Sequence, residues 1–297
     1  MHDDQLHVDL DIARRLITEQ FPQWRDEPIA EIASAGTVNA IYRIGDARTA
    51  RFPLRPEAPG VAVELLHTEA SALAEFAARS PFPAPEPVAI GLPAPGYPSP
   101  WSVQTWLPGE AASPGGLGHS GVFARDIAVL IRALRRADTR GRGFSGRGRG
   151  GDLQAEDEWM ESCLRQSEGL LEVPPLRALW ADFRLLPPGG ANVMCHGDLI
   201  PGNLLVRGDR LSGVLDGGGF SPADPALDLV AAWHMFEPAA RAALREAVGS
   251  DDTEWRRGAA WAFAQAMGLA WYYRESNPVM SALGRSTLTR ILHAPDL

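Results

Sequence analysis

Hydrophobic positions change period along this chain. Over residues 8–20 they fall at Leu10, Ile12, Ala13, Leu16 and Ile17, the spacing of an amphipathic helix, with Asp9 or Asp11 near its start. The pattern then shortens, and residues 29–35, 38–44 and 48–52 read as three strands, the last two joined by a Gly45-Asp46 turn. A helical period returns over about 61–78, with Val63, Leu66, Ala70, Leu73 and Ala77 on one face. Residues 80–100 are proline-rich and mostly extended, with one strand at 88–90. Residues 101–107 read as a further strand, ended by Pro108-Gly109.

Downstream the period is mainly helical: 122–136, 156–171, 176–185, 225–236, 238–248, 253–274 and 279–292. Strand-like runs interrupt it at 192–195, 203–206 and 211–215, the last two forming a hairpin around Gly208-Asp209. A strand-rich first third feeding a helical remainder predicts an α+β chain of two lobes, 1–108 and 109–297, with the site in the cleft between them.

At 297 residues, 45% hydrophobic and 22% charged, the chain is long enough for two cores and has a globular composition. A net charge of −9 weighs weakly against a nucleic-acid partner and mildly for a cationic one. Two cysteines, Cys163 and Cys195, form no framework and no Cys-x-x-Cys pair, so a reducing cytoplasmic compartment is expected. No signal-peptide core and no apolar run of membrane-spanning length is visible, so no membrane partner is expected. All 28 basic residues are arginine, which excludes any mechanism that needs lysine.

The densest chemistry lies in Cys195-His196-Gly197-Asp198-Leu199-Ile200-Pro201-Gly202-Asn203, followed by Val214-Leu215-Asp216-Gly217. In-line transfer of a γ-phosphoryl group requires a carboxylate to orient and deprotonate the attacking hydroxyl, and oxygen ligands to hold Mg²⁺ on the nucleotide phosphates. Asp198 fits the first role, and Asn203 and Asp216 fit the second. A lone His-Gly-Asp is a turn in most proteins. The combination of all three residues at this spacing is what points to a site.

The His-Gly-Asp-Leu to Asn203 run reproduces the catalytic-loop spacing of protein kinases, with glycine after the histidine. Together with Pro201-Gly202-Asn203 and the following hairpin, it resembles the aminoglycoside phosphotransferase family, closely over about 195–233 and more loosely before. Residues 38–45 resemble that family's nucleotide-covering hairpin, and Trp106-Leu107-Pro108-Gly109 its interlobe hinge. The resemblance implies a two-lobed protein-kinase-like fold with a small antiparallel-sheet N-lobe and a larger, mainly helical C-lobe. It makes Asp198 the base, His196 a support of the loop rather than a proton shuttle, and Asn203 and Asp216 the metal ligands. It places backbone groups of Gln104, Trp106 and Leu107 against the nucleotide base, and Thr37 and Asn39 over the phosphates.

Two departures from the family stand out. The lysine that pairs with nucleotide phosphates and with a helix glutamate is missing. Its aligned position is Arg51, with Glu69 as partner and Glu64 as second choice. Arginine keeps the charge but has a wider, planar fork, so either the enzyme is retuned to arginine or nucleotide binding is weakened. Gly217 stands where similar proteins carry phenylalanine or tryptophan, which leaves the packing of that segment open.

Other motifs read more plainly. The Arg-Gly run over 140–151 suits either an RNA contact or, preferably, a mobile surface loop between two helices. Asp224-Pro225 reads as a helix start, with Asp228 one turn in, bracing the catalytic loop. Glu237, Asp251, Asp252, Glu254 and Glu275 are candidates to face a polycation, or simply solvated charges. Trp255, Trp261, Trp271, Tyr272 and Tyr273 read as core rather than sugar-stacking groups.

The expected activity is transfer of the γ-phosphoryl group of ATP or GTP, with Mg²⁺, to a hydroxyl of a small and possibly cationic molecule. By resemblance that acceptor is an aminoglycoside or related antibiotic, which implies a resistance role. The alternatives are a metabolic or other small-molecule kinase of the same fold, of homoserine, choline, macrolide or methylthio-sugar type, or a weakly active nucleotide-binding module.

Overall fold

The computed structural model describes residues 6–32, 38–295 and 297. The chain divides into two compact units, one of Met1–Ala78, Pro83–Pro108 and Asp216–Gly218, the other of Arg79–Phe82, Gly109–Leu215 and Gly219–Leu297.

In the first unit, helix α1 (Leu10–Gln20) precedes strands β1 (Ile29–Ile32), β2 (Asn39–Ile44) and β3 (Arg48–Pro53). Helix α2 (Pro59–Arg79) follows, then β4 (Pro87–Gly91) and β5 (Trp101–Thr105). The five strands form one antiparallel sheet in the order β1-β2-β3-β5-β4. Asp9 starts α1 by accepting from the Ile12 amide at 2.8 Å. Ala13, Leu16 and Ile17 of α1 pack with Ile44, Ala50, Phe52, Trp101 and Val103 of the sheet. Phe52 stacks on Trp101 at 4.7 Å between ring centres and is fully buried, a contribution of about 2–3 kcal/mol. Strand side chains alternate between faces, so with Ala50 and Phe52 in that core, Arg51 takes the other face.

In the second unit β6 (Glu110–Ala111) leads to α3 (Gly121–Arg135), α4 (Asp157–Gln166), α5 (Val173–Phe183) and β7 (Val193–Cys195). Strands β8 (Leu204–Arg207), β9 (Arg210–Val214) and β10 (Ser221–Ala223) come next, then α6 (Val230–Met235), α7 (Pro238–Val248), α8 (Asp252–Tyr272) and α9 (Pro278–Leu292). β10 pairs with β7, and β6, β8 and β9 form a second small sheet. Residues 258–264 of α8 are buried all round, so this helix is the spine of the unit. Asp126 of α3 holds the β8–β9 hairpin by accepting two bonds from Arg210, at 2.7 and 2.9 Å, and one from the Leu211 amide. The change of period predicted an α+β chain of two lobes, and the small antiparallel-sheet lobe and larger helical lobe are the architecture the family resemblance implied.

Two predicted helices are corrected. The one over 156–171 stops at Gln166, where the Ser167 amide folds back onto the Cys163 and Leu164 carbonyls. The one over 225–236 does not start at Asp224. The Leu227 amide closes a turn onto the Asp224 carbonyl, a 3-10 turn covers Leu227–Leu229, and α6 begins only at Val230. The cause is tertiary. Asp224 Oδ1 does cap the turn, accepting from the Ala226 amide at 3.0 Å, while Oδ2 accepts from the Trp261 indole at 2.8 Å and from two nitrogens of the buried Arg257, an ion pair that ties this residue to α8. Among the described residues no helix is long and apolar enough to cross a membrane.

Candidate active site

The loop from β7 to β8 is held from below and from within. Asp228 Oδ2 accepts from the His196 amide at 2.9 Å and Oδ1 from the Gly197 amide at 2.8 Å. Burial pushes the Asp228 carboxyl up, opposed by His196 and by those two amides. Gly197 has φ +82°, a left-handed conformation that glycine adopts without steric cost. The His196 ring is fully engaged with backbone: Nδ1 lies 3.2 Å from the Asp198 amide, which donates to it, so Nε2 carries the hydrogen that meets Leu215 O at 2.8 Å. His196 is 1% exposed and braces the loop.

Asp198 and Asn203 are locked together. The Asn203 amide nitrogen donates to Asp198 O and to Asp198 Oδ2, both at 2.9 Å. Both its N–H groups are thereby committed, and its carbonyl oxygen has no protein partner among the described residues. The Leu215 amide donates to Asn203 O at 2.8 Å, fixing the residue that precedes Asp216.

Two residues absent from the sequence expectation meet Asp198. Arg149 Nη2 donates to Asp198 Oδ1 at 3.1 Å and to Gly197 O at 3.2 Å. Gln265 Nε2 donates to the same Oδ1 at 2.7 Å. A carboxylate oxygen has two lone pairs, so Oδ1 is filled, whereas Oδ2 holds only the Asn203 bond and keeps one acceptor direction open. The Arg-Gly segment is therefore not a free loop, as expected, but an anchored one. Besides Arg149, the Phe144 amide donates to Asn192 Oδ1 at 3.0 Å, and Gly150 O accepts from the Asp224 amide at 2.7 Å.

The first unit holds the other candidates. Arg51 Nη2 donates to Asp216 Oδ1 at 2.9 Å, which corrects the expected partner: the ion pair is with Asp216 and not with Glu69. Glu69 still feels both charges. Burial pushes its carboxyl up, Arg51 pulls it down and Asp216 pushes it further up. Asp216 has φ +62°, a left-handed conformation uncommon outside glycine and one of its few non-glycine tolerances. Beside it, Gly217 lies against Phe76 of α2, a fully buried ring that fills the volume an aromatic side chain at 217 would need.

Of the expected hinge, the Trp106 amide is committed to Ala47 O at 2.8 Å and the Thr105 amide to Glu86 O at 2.9 Å. Gln104 is a β5 residue paired with Thr49 and Pro87. The Trp106 amide is thus used within the sheet, while the Leu107 amide has no backbone partner among the described residues. Arg43 covers the Trp106 ring at 5.1 Å. Asn39 opens β2 opposite Pro53. Thr37 lies outside the described residues.

With this geometry, comparison with known proteins decides the family. Residues 29–261 match the phosphotransferase enzyme family. The chain belongs to that family. No curated protein matches it. Among solved structures, the GDP and kanamycin complex of APH(2")-IIia is 17% identical with a TM-score of 0.73, covering 95% of this chain and 98% of that one. The GDP complex of wild-type aminoglycoside 2'-phosphotransferase-IIIa is 16% identical with a TM-score of 0.71, covering 96% and 99%. The apoenzyme of macrolide 2'-phosphotransferase MphH from Brachybacterium faecium is 21% identical with a TM-score of 0.63, covering 97% and 98%. At these identities the likeness is one of fold.

For a phosphotransferase the donor set is chemically apt. Mg²⁺ takes oxygen ligands and binds through one or two carboxylates together with substrate phosphates. Asn203 presents an uncommitted carbonyl oxygen, and Asp216 Oδ2 has no protein partner among the described residues. No cluster of three or more His, Cys, Asp or Glu suited to a resident metal occurs among the described residues. Both cysteines are buried and free, and burial pushes the Cys163 thiol up to about 11, so neither is an activated nucleophile.

Four of the five acidic candidates have partners within the protein. Glu237 pairs with Arg290 at 3.1 Å, Glu254 with Arg135 and Asp252 with Arg245, and Asp251 caps α8. Trp255 and Trp261 are buried in the core, and Trp271, Tyr272 and Tyr273 are half-buried in edge contact with one another.

Proposed function

We propose that this phosphotransferase moves the γ-phosphoryl group of ATP or GTP to a hydroxyl of a small molecule, with Asp198 as base. The observation that carries the reading is the Asp198–Asn203 lock. It orients one open lone pair of Asp198 Oδ2 while leaving the Asn203 carbonyl oxygen for a cation. The acceptor hydroxyl donates to Oδ2. As its oxygen bonds to the γ-phosphorus, the bond from that phosphorus to the leaving nucleoside diphosphate oxygen breaks, and the hydroxyl proton passes to Oδ2. Asn203 and Asp216 are the proposed Mg²⁺ ligands; bound there, the ion neutralises charge on the nucleotide phosphates. Arg51 is the proposed phosphate-binding cation in place of lysine, and its ion pair with Asp216 would have to open for Asp216 to hold the metal. The Leu107 amide is the proposed donor to the nucleotide base.

The acceptor is proposed to be a hydroxylated antibiotic, of the aminoglycoside class that the kanamycin and gentamicin complexes of structural neighbours suggest. A macrolide-type acceptor is the second reading. It is favoured by the pairing of Glu237, Glu254 and Asp252 with arginines, which leaves few carboxylates for a polycation.

The test is Mg²⁺-dependent nucleotide consumption with ATP and GTP across aminoglycosides and macrolides. Acceptor-dependent turnover that is lost in Asp198→Ala supports the reading. Equal turnover by wild type and Asp198→Ala ends the assignment of the base.

A further inference from the structure

A fully buried histidine lies two hydrogen bonds from the catalytic carboxylate. His234 of α6 is 0% exposed. Its Nε2 lies 3.1 Å from Gln265 Oε1 on α8, and its Nδ1 lies 2.9 Å from Thr287 Oγ1 on α9. Gln265 then donates to Asp198 Oδ1 at 2.7 Å. Three helices each contribute one polar side chain to a line ending on Asp198. The helices that supply it are otherwise packed by Ala231, Ala232, Trp233, Ala264, Ala266, Met267, Leu283 and Leu288. Burying such groups costs free energy unless every member is satisfied, and helix packing of this kind does not require them.

The line has one allowed direction. An ionised Asp198 only accepts, so Gln265 must turn its amide nitrogen to Oδ1 and its oxygen to His234. Nε2 of His234 must then carry the hydrogen, and Nδ1 must accept. Thr287 supplies that hydrogen by turning its hydroxyl from Leu283 O, 2.9 Å away, toward Nδ1. We propose that Gln265 and His234 are positioning residues for Asp198: a one-directional chain, Thr287 to His234 to Gln265 to Asp198, that keeps Oδ1 occupied and turns Oδ2 to the acceptor hydroxyl. The inference rests on Asp198 being the base.

Gln265→Met keeps the length and bulk of the side chain and removes both bonds. The expected result is a kcat lowered about 10- to 100-fold, with KM for nucleotide and acceptor within about twofold of wild type, and a lowered melting temperature because the buried His234 Nε2–H loses its acceptor. His234→Gln offers a nitrogen donor to Gln265 and should retain more activity than His234→Leu. A Gln265→Met enzyme with wild-type kcat overturns the proposal while leaving Asp198 as base, whereas failure of the base assignment appears already as equal turnover in Asp198→Ala. A readout free of activity and of variants is the tautomer of His234 by ¹⁵N NMR of the wild-type protein. Hydrogen on Nε2 with a bare Nδ1 is expected, and hydrogen on Nδ1 alone overturns the chain.

Discussion

Gly217 and Phe76 occupy each other's space: a Cβ on Gly217 would stand 2.4 Å from Phe76 Cδ1 and 2.7 Å from Cγ. The glycine that looked like a loss of packing after Asp216 is what makes room for the Phe76 ring of α2. Gly217→Ala is expected to destabilise the protein by about 1–3 kcal/mol and to raise the apparent KM for nucleotide, because Asp216 is the adjoining residue. Combining it with Phe76→Leu should return part of the stability. Urea unfolding of the two single variants and the double variant checks this, and additive losses would show that the two positions are not coupled.

Arg51 and Asp216 form an ion pair in the unliganded protein, at 2.9 Å. Arg51→Ala is expected to raise the nucleotide KM and lower kcat, and Arg51→Lys to keep part of the activity, measured by steady-state kinetics at varied nucleotide. Unchanged kinetics in Arg51→Ala would place the phosphate contact elsewhere.

The Arg149 pair with Asp198 is part-exposed on both sides, 24% and 37%. Arg149→Ala should therefore cost under about 1 kcal/mol of stability. Its effect belongs in turnover, because the guanidinium offsets the repulsion between Asp198 and an arriving triphosphate. A fall in kcat of about tenfold or more is expected, with Arg149→Lys intermediate. A variant with lost stability and intact kcat would make Arg149 a loop anchor only.

What could be read from the chain divides by sequence separation. Asp198, Asn203 and Asp216 announce themselves because they lie within one loop and hairpin. Arg149 and Gln265 reach the same carboxylate from 49 and 67 residues away, so no local spacing marks them. Arg149 looks like its neighbours Arg142 and Arg147. Gln265 does carry a faint signal, as a lone amide in the Ala262-Phe263-Ala264-Gln265-Ala266-Met267 run, and His234 another, beside Trp233 in a buried helix. The Asp224 helix start failed for the same reason. Its local cap signal is genuine, and Oδ1 does accept from the Ala226 amide, but Arg257 and Trp261, 33 and 37 residues on, hold the other carboxylate oxygen. The period of the apolar positions was legible almost throughout, since burial repeats within each element.

The Asp224–Arg257 pair is buried on both sides, 4% and 3% exposed. Arg257→Met leaves a carboxylate without its charge partner and should cost about 3–5 kcal/mol. Adding Asp224→Asn should recover part of that loss. Denaturant midpoints of the three variants decide it, and a double variant no more stable than Arg257→Met would mean the cost is one of packing.

His234 predicts how stability depends on pH. Burial lowers its pKa from 6.5 to about 4. Between those values the unfolded chain binds a proton that the folded one refuses. Its contribution is therefore complete above about pH 6.5 and is lost as the pH falls toward 4, a change of about 3 kcal/mol. Chemical denaturation at pH 7 and pH 4.5 should show a smaller difference in His234→Gln than in wild type. An equal difference would assign the acid sensitivity to other groups.

A chain with arginine as its only strong base has a consequence at the other end of the pH scale. Its ion pairs with Asp126, Asp198, Asp216, Asp224 and Glu254 rest on guanidinium groups, which do not lose their proton in water. Tyr42 and Tyr97 donate to Val8 O and Pro53 O, and burial pushes the Tyr42 hydroxyl up to about 12 and that of Tyr97 upward as well. These contacts thus keep their charge and their hydrogens deep into alkaline solution, and reagents that acylate or cross-link side-chain amines find no lysine here to modify.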